Sequence, residues 1–142
     1  MQRTTFLTFL LLLTTCIHHV YGAIIYDTPW RLHIIFFAVP AMLLVLALGY
    51  LYARRPGRIL LVSYLLAVLL FPMLGIGLYE GVYNHLIKNI VFPFTGNSSL
   101  FKVLFPPPTY EAPNDIIFEL TGILQALILY PLARNFRKLV AF

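Results

Sequence analysis

Charge is what this sequence has least of. Only 11 % of its 142 residues are Asp, Glu, Lys or Arg, while 61 % are hydrophobic. A soluble domain carries about a quarter charged residues, so a water-facing surface is excluded for most of this chain. Cysteine is nearly absent as well. The single Cys16 excludes an intramolecular disulfide and any multi-cysteine metal site. No Gly-rich phosphate loop and no GxSxG occur, and no second cysteine or adjoining acid–base set stands ready to make Cys16 a nucleophile. Alternation of apolar and polar residues is missing too. The hydrophobic runs are continuous and Leu-rich, which rules against a membrane β-barrel. No internal repeat is visible, so an inverted-repeat transporter has no support.

What is present is a set of runs long enough to span lipid. Residues 1–22 combine Arg3, an apolar core over Phe6–Ile17 and small residues before Ala23, the pattern of a signal peptide; the alternative is a retained first transmembrane span or signal anchor. Leu32–Tyr52 follows as a transmembrane helix, its 21 residues covering about 30 Å, the thickness of the hydrocarbon core. Pro40 is expected to kink it, and Trp30 and His33 sit at its headgroup-level end. After the basic turn Ala53–Arg58 comes a second span, Ile59–Leu78. It continues as an amphipathic helix to about Val91. Residues 92–115 contain Pro93, Gly96 and the run Pro106–Pro108 and read as an external Pro-rich loop. Asn114 and Asp115 are N-cap residues for a last span, Ile116–Ala133, and residues 134–142 form a basic tail. The expected fold is therefore all-α: a single-domain polytopic helical membrane protein of three transmembrane helices plus an N-terminal signal or signal-anchor segment.

The charges orient these spans. The Arg54–Arg58 turn and the tail from Arg134 onward each hold three cations and no acids, while Asp27, Glu80, Glu111, Asp115 and Glu119 all fall toward the opposite ends of the helices. The positive-inside rule then sets the C-terminus in the cytoplasm and residues 79–115 on the non-cytoplasmic side of a plasma or inner membrane. It also explains the net charge of +5 without nucleic acid. Asn97-Ser98-Ser99 is a glycosylation sequon on the outer side, meaningful only in a eukaryotic protein.

Function is less visible. Glu80, His85 and Glu119 are the candidate site residues, because each lies near the outer end of a span where an ionisable group is costly unless it pairs or lines a cavity. A metal site is disfavoured by spacing. Metal ligands on one helix sit at i, i+3 or i, i+4, whereas Glu80 and His85 are five apart, about 140° on a straight α-helix. Glu119 is expected instead to contact Lys88 or His85 structurally. His18 and His19 have no acidic neighbour in sequence and lie in the segment read as a leader. Thr121 and Gln125 form a polar stripe of the kind that joins membrane helices, and Gly77, Gly81 and Gly122 permit close backbone approach. No cofactor is implied. The sequence points first to a non-catalytic subunit, scaffold or assembly factor, with lipid around it and other membrane proteins, or a second copy through those glycines, as partners. The alternative is a small enzyme or metal- or proton-handling protein using the outer Glu/His cluster. A pore, the third reading, would require oligomers.

Overall fold

The computed structural model describes residues 1–107 and 109–141, so Pro108 of the proline run and Phe142 of the tail lie outside the described residues. Among the described residues there are helices and no strands. They are α1 (Gln2–Ile25), α2 (Pro29–Arg54, beginning with a 3-10 stretch over Pro29–Ile34), α3 (Arg58–Thr95), the short α4 (Ser99–Leu104) and α5 (Ile116–Val140). Four of them, α1, α2, α3 and α5, are long and apolar enough to cross a membrane. The count thus exceeds by one the three spans read with a separate leader. The segment 1–22 is continuous with α1 and packs along α5.

The helices alternate in direction. Tyr26, just past the end of α1, donates from its hydroxyl to Asn114 Oδ1 at 2.6 Å, just before the start of α5, so these two run antiparallel. At the other end Thr5 and Tyr64 share a hydrogen bond of 2.8 Å, joining the start of α1 to the first turns of α3. Pro56-Gly57 makes the tight reversal between α2 and α3, with Gly57 extended and its carbonyl accepting from Leu61 N–H. The core of that half is apolar. Leu11, Leu12, Val45, Tyr64, Val68 and Leu132 are fully or almost fully buried there.

α3 is the unusual element. From Leu69 to Ile87 its turns are of π type, closing from residue i to i+5. Pro72 stands near the start of that stretch. Its ring removes a backbone donor and crowds the carbonyl one α-turn earlier, and a wider turn relieves both faults. Glycines at 77 and 81 then let α5 come close. A Cβ on Gly77 would lie 2.7 Å from Leu129 Cδ1, and one on Gly81 would lie 2.6 Å from Ala126 N. The third glycine singled out above, Gly122, faces back toward α3. All three serve contacts within this chain.

The connection from residue 96 to 115 is more structured than its prolines suggest. α3 continues to Thr95, and α4 forms because Ser98 Oγ accepts from Phe101 N–H as an N-cap. The connection is tied down at several points. Tyr83 donates to Leu104 O at 2.6 Å, Lys88 Nζ donates to Glu111 O at 2.9 Å, and Arg31 meets Glu111 at 3.4 Å. Phe101 and Phe105 are buried beneath it. At its end Asp115 Oδ1 accepts from Phe118 N–H and starts α5, which stays helical through the expected tail as far as Val140.

Candidate metal centre

At the end of the bundle near this connection, three helices bring their polar side chains to one point. α1 supplies His18 and His19, α3 supplies Glu80 and His85, and α5 supplies Glu119 and Thr121. The Nε2 atoms of His18, His19 and His85 each lie 3.5 Å from the same oxygen, Glu80 Oε1. None of these three approaches is aligned as a hydrogen bond, and all three Nε2 atoms are buried without a hydrogen-bond partner among the described residues. One donor atom each from His18, Glu80 and His85 fall together within 4.8 Å of one another.

The other faces of the two inner imidazoles are fixed. His85 Nδ1 lies 2.8 Å from Glu119 Oε2. An ionised carboxylate only accepts, so Nδ1 carries the proton and donates. His18 Nδ1 lies 2.9 Å from Thr121 Oγ1, whose own proton is directed at the carbonyls of Ile117 and Phe118. The hydroxyl therefore accepts, and His18 Nδ1 donates as well. With Nδ1 protonated in each ring, a neutral imidazole turns its Nε2 lone pair toward the Glu80 carboxylate. Lone pairs facing an anion repel unless a cation lies between them. Protons could serve, but two adjacent imidazolium ions in a buried pocket carry a large desolvation and repulsion penalty. A metal ion between His18, His85 and Glu80 satisfies all three groups at once.

The dimensions fit. Zn–N and Zn–O bonds of about 2.0–2.1 Å in a tetrahedron separate neighbouring ligand atoms by about 3.3–3.4 Å. The Nε2-to-Oε1 separations of 3.5 Å are close to that edge. The supporting contacts have the form usual for metal-binding histidines, which donate their second ring N–H to a carboxylate or other acceptor that sets tautomer and orientation. Glu119 is itself held by Lys88 Nζ at 2.8 Å and by Asn89 Nδ2 at 2.5 Å. Lys88 is fully buried, and its extended side chain passes beside Phe118. Asn84 Nδ2 donates to Glu80 Oε1 at 3.3 Å.

The sequence decides this local arrangement. Two residues five apart diverge on an α-helix, but in turns that close from i to i+5 they return to the same side, and Glu80 and His85 lie inside the π segment. The straight-helix argument against a metal site therefore does not hold. Gly122 gives His85 its seat: a Cβ there would fall 2.1 Å from the imidazole Cγ. Gly22 does the same for Phe118, which stacks on His18 with ring centroids 4.1 Å apart. Beyond the cluster, burial beside Glu119, Asp115 and Glu111 pushes the Tyr26 phenol up to about 12, so it remains a donor to Asn114.

All three candidates from the sequence, Glu80, His85 and Glu119, meet here, with Glu119 contacting both Lys88 and His85. His18 and His19 were set aside and prove to be central. Their signal was the register of α1, where buried positions recur at Thr8, Leu11, Thr15, His18 and Gly22 and put one histidine on the inward stripe. His33 stays out of the cluster, exposed and stacked on Trp30. Comparison with known proteins adds nothing to this geometry: no protein-family model matches the sequence, and no curated protein or solved structure is significantly similar to it.

Proposed function

We propose that this chain is a membrane-embedded metal-binding protein that holds a divalent first-row transition ion on Glu80, His18 and His85, with His19 adjoining. The observation that carries the reading is the convergence of three unpartnered imidazole nitrogens on one carboxylate oxygen at 3.5 Å. Two imidazoles and a carboxylate form the donor set of both hydrolytic zinc sites and non-haem iron(II) sites. The sulfur-free, oxygen-poor set argues against copper(I) and against magnesium or calcium.

The reading requires α1 to stay in the mature protein, since His18 and His19 belong to it. Fifty per cent of its apolar window is buried in the bundle, which supports retention. Four spans with both termini in the cytoplasm then follow from the charge distribution, with the metal centre near the non-cytoplasmic face of a plasma or inner membrane. A cysteine introduced at Ser98 tests that orientation: it should react with an impermeant reagent in intact cells, and reaction only after lysis would reverse the topology.

A partner-subunit role loses its main motive under this reading. The Pro-rich connection is bound to its own helices through Tyr83, Lys88 and Arg31, so it needs no partner to order it. Elemental analysis separates the two readings. Wild-type protein purified without chelators should carry about one transition ion per chain, and Glu80→Gln should carry almost none. Equal, near-zero metal in both, together with co-purifying membrane proteins, would favour the subunit role.

A further inference from the structure

One helical turn deeper in the bundle lies a second set of polar atoms without partners. Gln125 is fully buried, and neither Oε1 nor Nε2 has a hydrogen-bond partner among the described residues. The same holds for the hydroxyl of fully buried Thr15. Leaving such a group unpaired costs about 1–3 kcal/mol, so a concentration of them at one depth calls for something that hydrogen-bonds there.

Their placement follows from the register. Along the antiparallel pair α1 and α5, Gly22 meets Phe118 and His18 meets Thr121. One turn further, Thr15 lies three residues before His18 and Gln125 four residues after Thr121, so the two occupy facing register positions, both fully buried. On its other side Gln125 backs onto Gly81, where a Cβ would stand 3.0 Å from Gln125 C, and Gly81 is the neighbour of Glu80. By this register Gln125 and Thr15 lie one turn beneath His18 and Thr121, as the floor of the cluster.

We infer that this floor binds an exogenous small ligand on the metal, water at rest and a small anion when one is supplied, so that the centre is of the open, exchangeable kind rather than a closed structural site. The inference rests on the metal reading above. The chemistry is matched: Gln125 offers a donor and an acceptor, and the Thr15 hydroxyl offers either, which meets the two to four polar partners that a buried water requires. A three-ligand protein set leaves one position of a tetrahedral ion for such a ligand, as in catalytic rather than structural zinc sites. Gln125 acts here as a positioning residue, bonded to the ligand rather than to the ion.

Cobalt(II) provides the test, with azide as the probe. The full-length protein is loaded with cobalt(II) in detergent, metal per chain is counted, and the visible absorption is followed through an azide titration. One cobalt per chain and a saturable spectral change are expected. Gln125→Leu should retain one cobalt but bind azide about tenfold more weakly, as loss of a hydrogen bond to a charged ligand implies. Gln125→Asn should recover part of that loss, and Thr15→Val, measured independently in case Gln125→Leu does not fold, should weaken azide in the same direction. A wild-type spectrum indifferent to azide at full cobalt occupancy would overturn the open site while leaving the metal centre intact. Azide binding unchanged in both Gln125→Leu and Thr15→Val would remove their assigned role. Failure of wild type to bind cobalt at all would overturn both readings.

Discussion

The two halves of this bundle treat their polar groups in opposite ways. In the half near the Pro56-Gly57 turn, hydroxyls are paired locally: Thr8 donates to Thr4 O, Thr14 to Leu10 O, and Thr5 is joined to Tyr64. Apolar contacts among Leu11, Val45, Tyr64 and Leu132 do the rest. In the other half, among the described residues, buried nitrogens and oxygens of His18, His19, His85, Gln125, Thr15 and Asn84 are left without partners, and the three histidine Nε2 atoms crowd around one carboxylate. Polar groups in lipid normally find partners within the protein. The contrast teaches that the first half is organised for stability, and it is the contrast the proposed metal centre would produce, since a bound ion would give the unpartnered polar atoms of the second half their partners.

Substitutions can break that contrast, and the largest effect is expected at Lys88. Lys88→Met removes the cation that neutralises Glu119 in a buried setting, and breaking such a pair costs about 3–5 kcal/mol. It also frees Glu111 O, so thermal unfolding should fall steeply and proteolysis of residues 96–115 should accelerate. The double variant Lys88→Met/Glu119→Gln, which leaves no unpaired charge, should recover much of the stability.

Gly122→Ala comes next. Its methyl would overlap the His85 ring, and overpacking of this kind costs roughly 1–3 kcal/mol. Metal content should fall with stability. Gly49→Ala is the control in the apolar half, where the nearest atom to a new Cβ is Thr5 Oγ1 at 3.5 Å, and both properties should be nearly unchanged.

Glu119→Gln sharpens the difference further. It retains the shape of the residue that orients His85 but weakens its acceptor and leaves the buried Lys88 cation unpaired, so stability should fall as it does in Lys88→Met, and metal affinity should drop about 10- to 100-fold in an equilibrium competition with a chelator. The smallest effect is expected for Tyr64→Phe, which deletes the hydroxyl bonded to Thr5 and should lower stability by about 0.5–1.5 kcal/mol while leaving metal affinity alone. If Tyr64→Phe altered metal binding as much as Glu119→Gln, the division into two halves would collapse.

The all-α membrane class was legible from composition and run length, since lipid imposes one strong requirement on a whole segment. Asp115 as a helix start was legible for a similar reason, because an N-cap is a property of a few neighbouring residues. The site was only half legible. Glu80, His85 and Glu119 stood out as charges near lipid, but three features that unite them are not local. His18 joins them only once α1 packs on α5. The π turns of α3 abolish the divergence that i+5 spacing implies on an α-helix. The seat for His85 depends on Gly122, a residue on another helix. α4 was missed because the prolines around it outweighed the Ser98 cap in a six-residue stretch.

X-ray absorption on the purified wild-type protein tests the central claim most directly. The account predicts about one transition ion per chain, a first shell of nitrogen and oxygen at about 2.0–2.2 Å, and the outer-shell scattering of imidazole carbons, with no sulfur. That signal should vanish in His18→Ala/His85→Ala while the variant keeps the helical circular dichroism of wild type. A protein that takes up no metal, or whose bound ion shows no imidazole scattering, would contradict it.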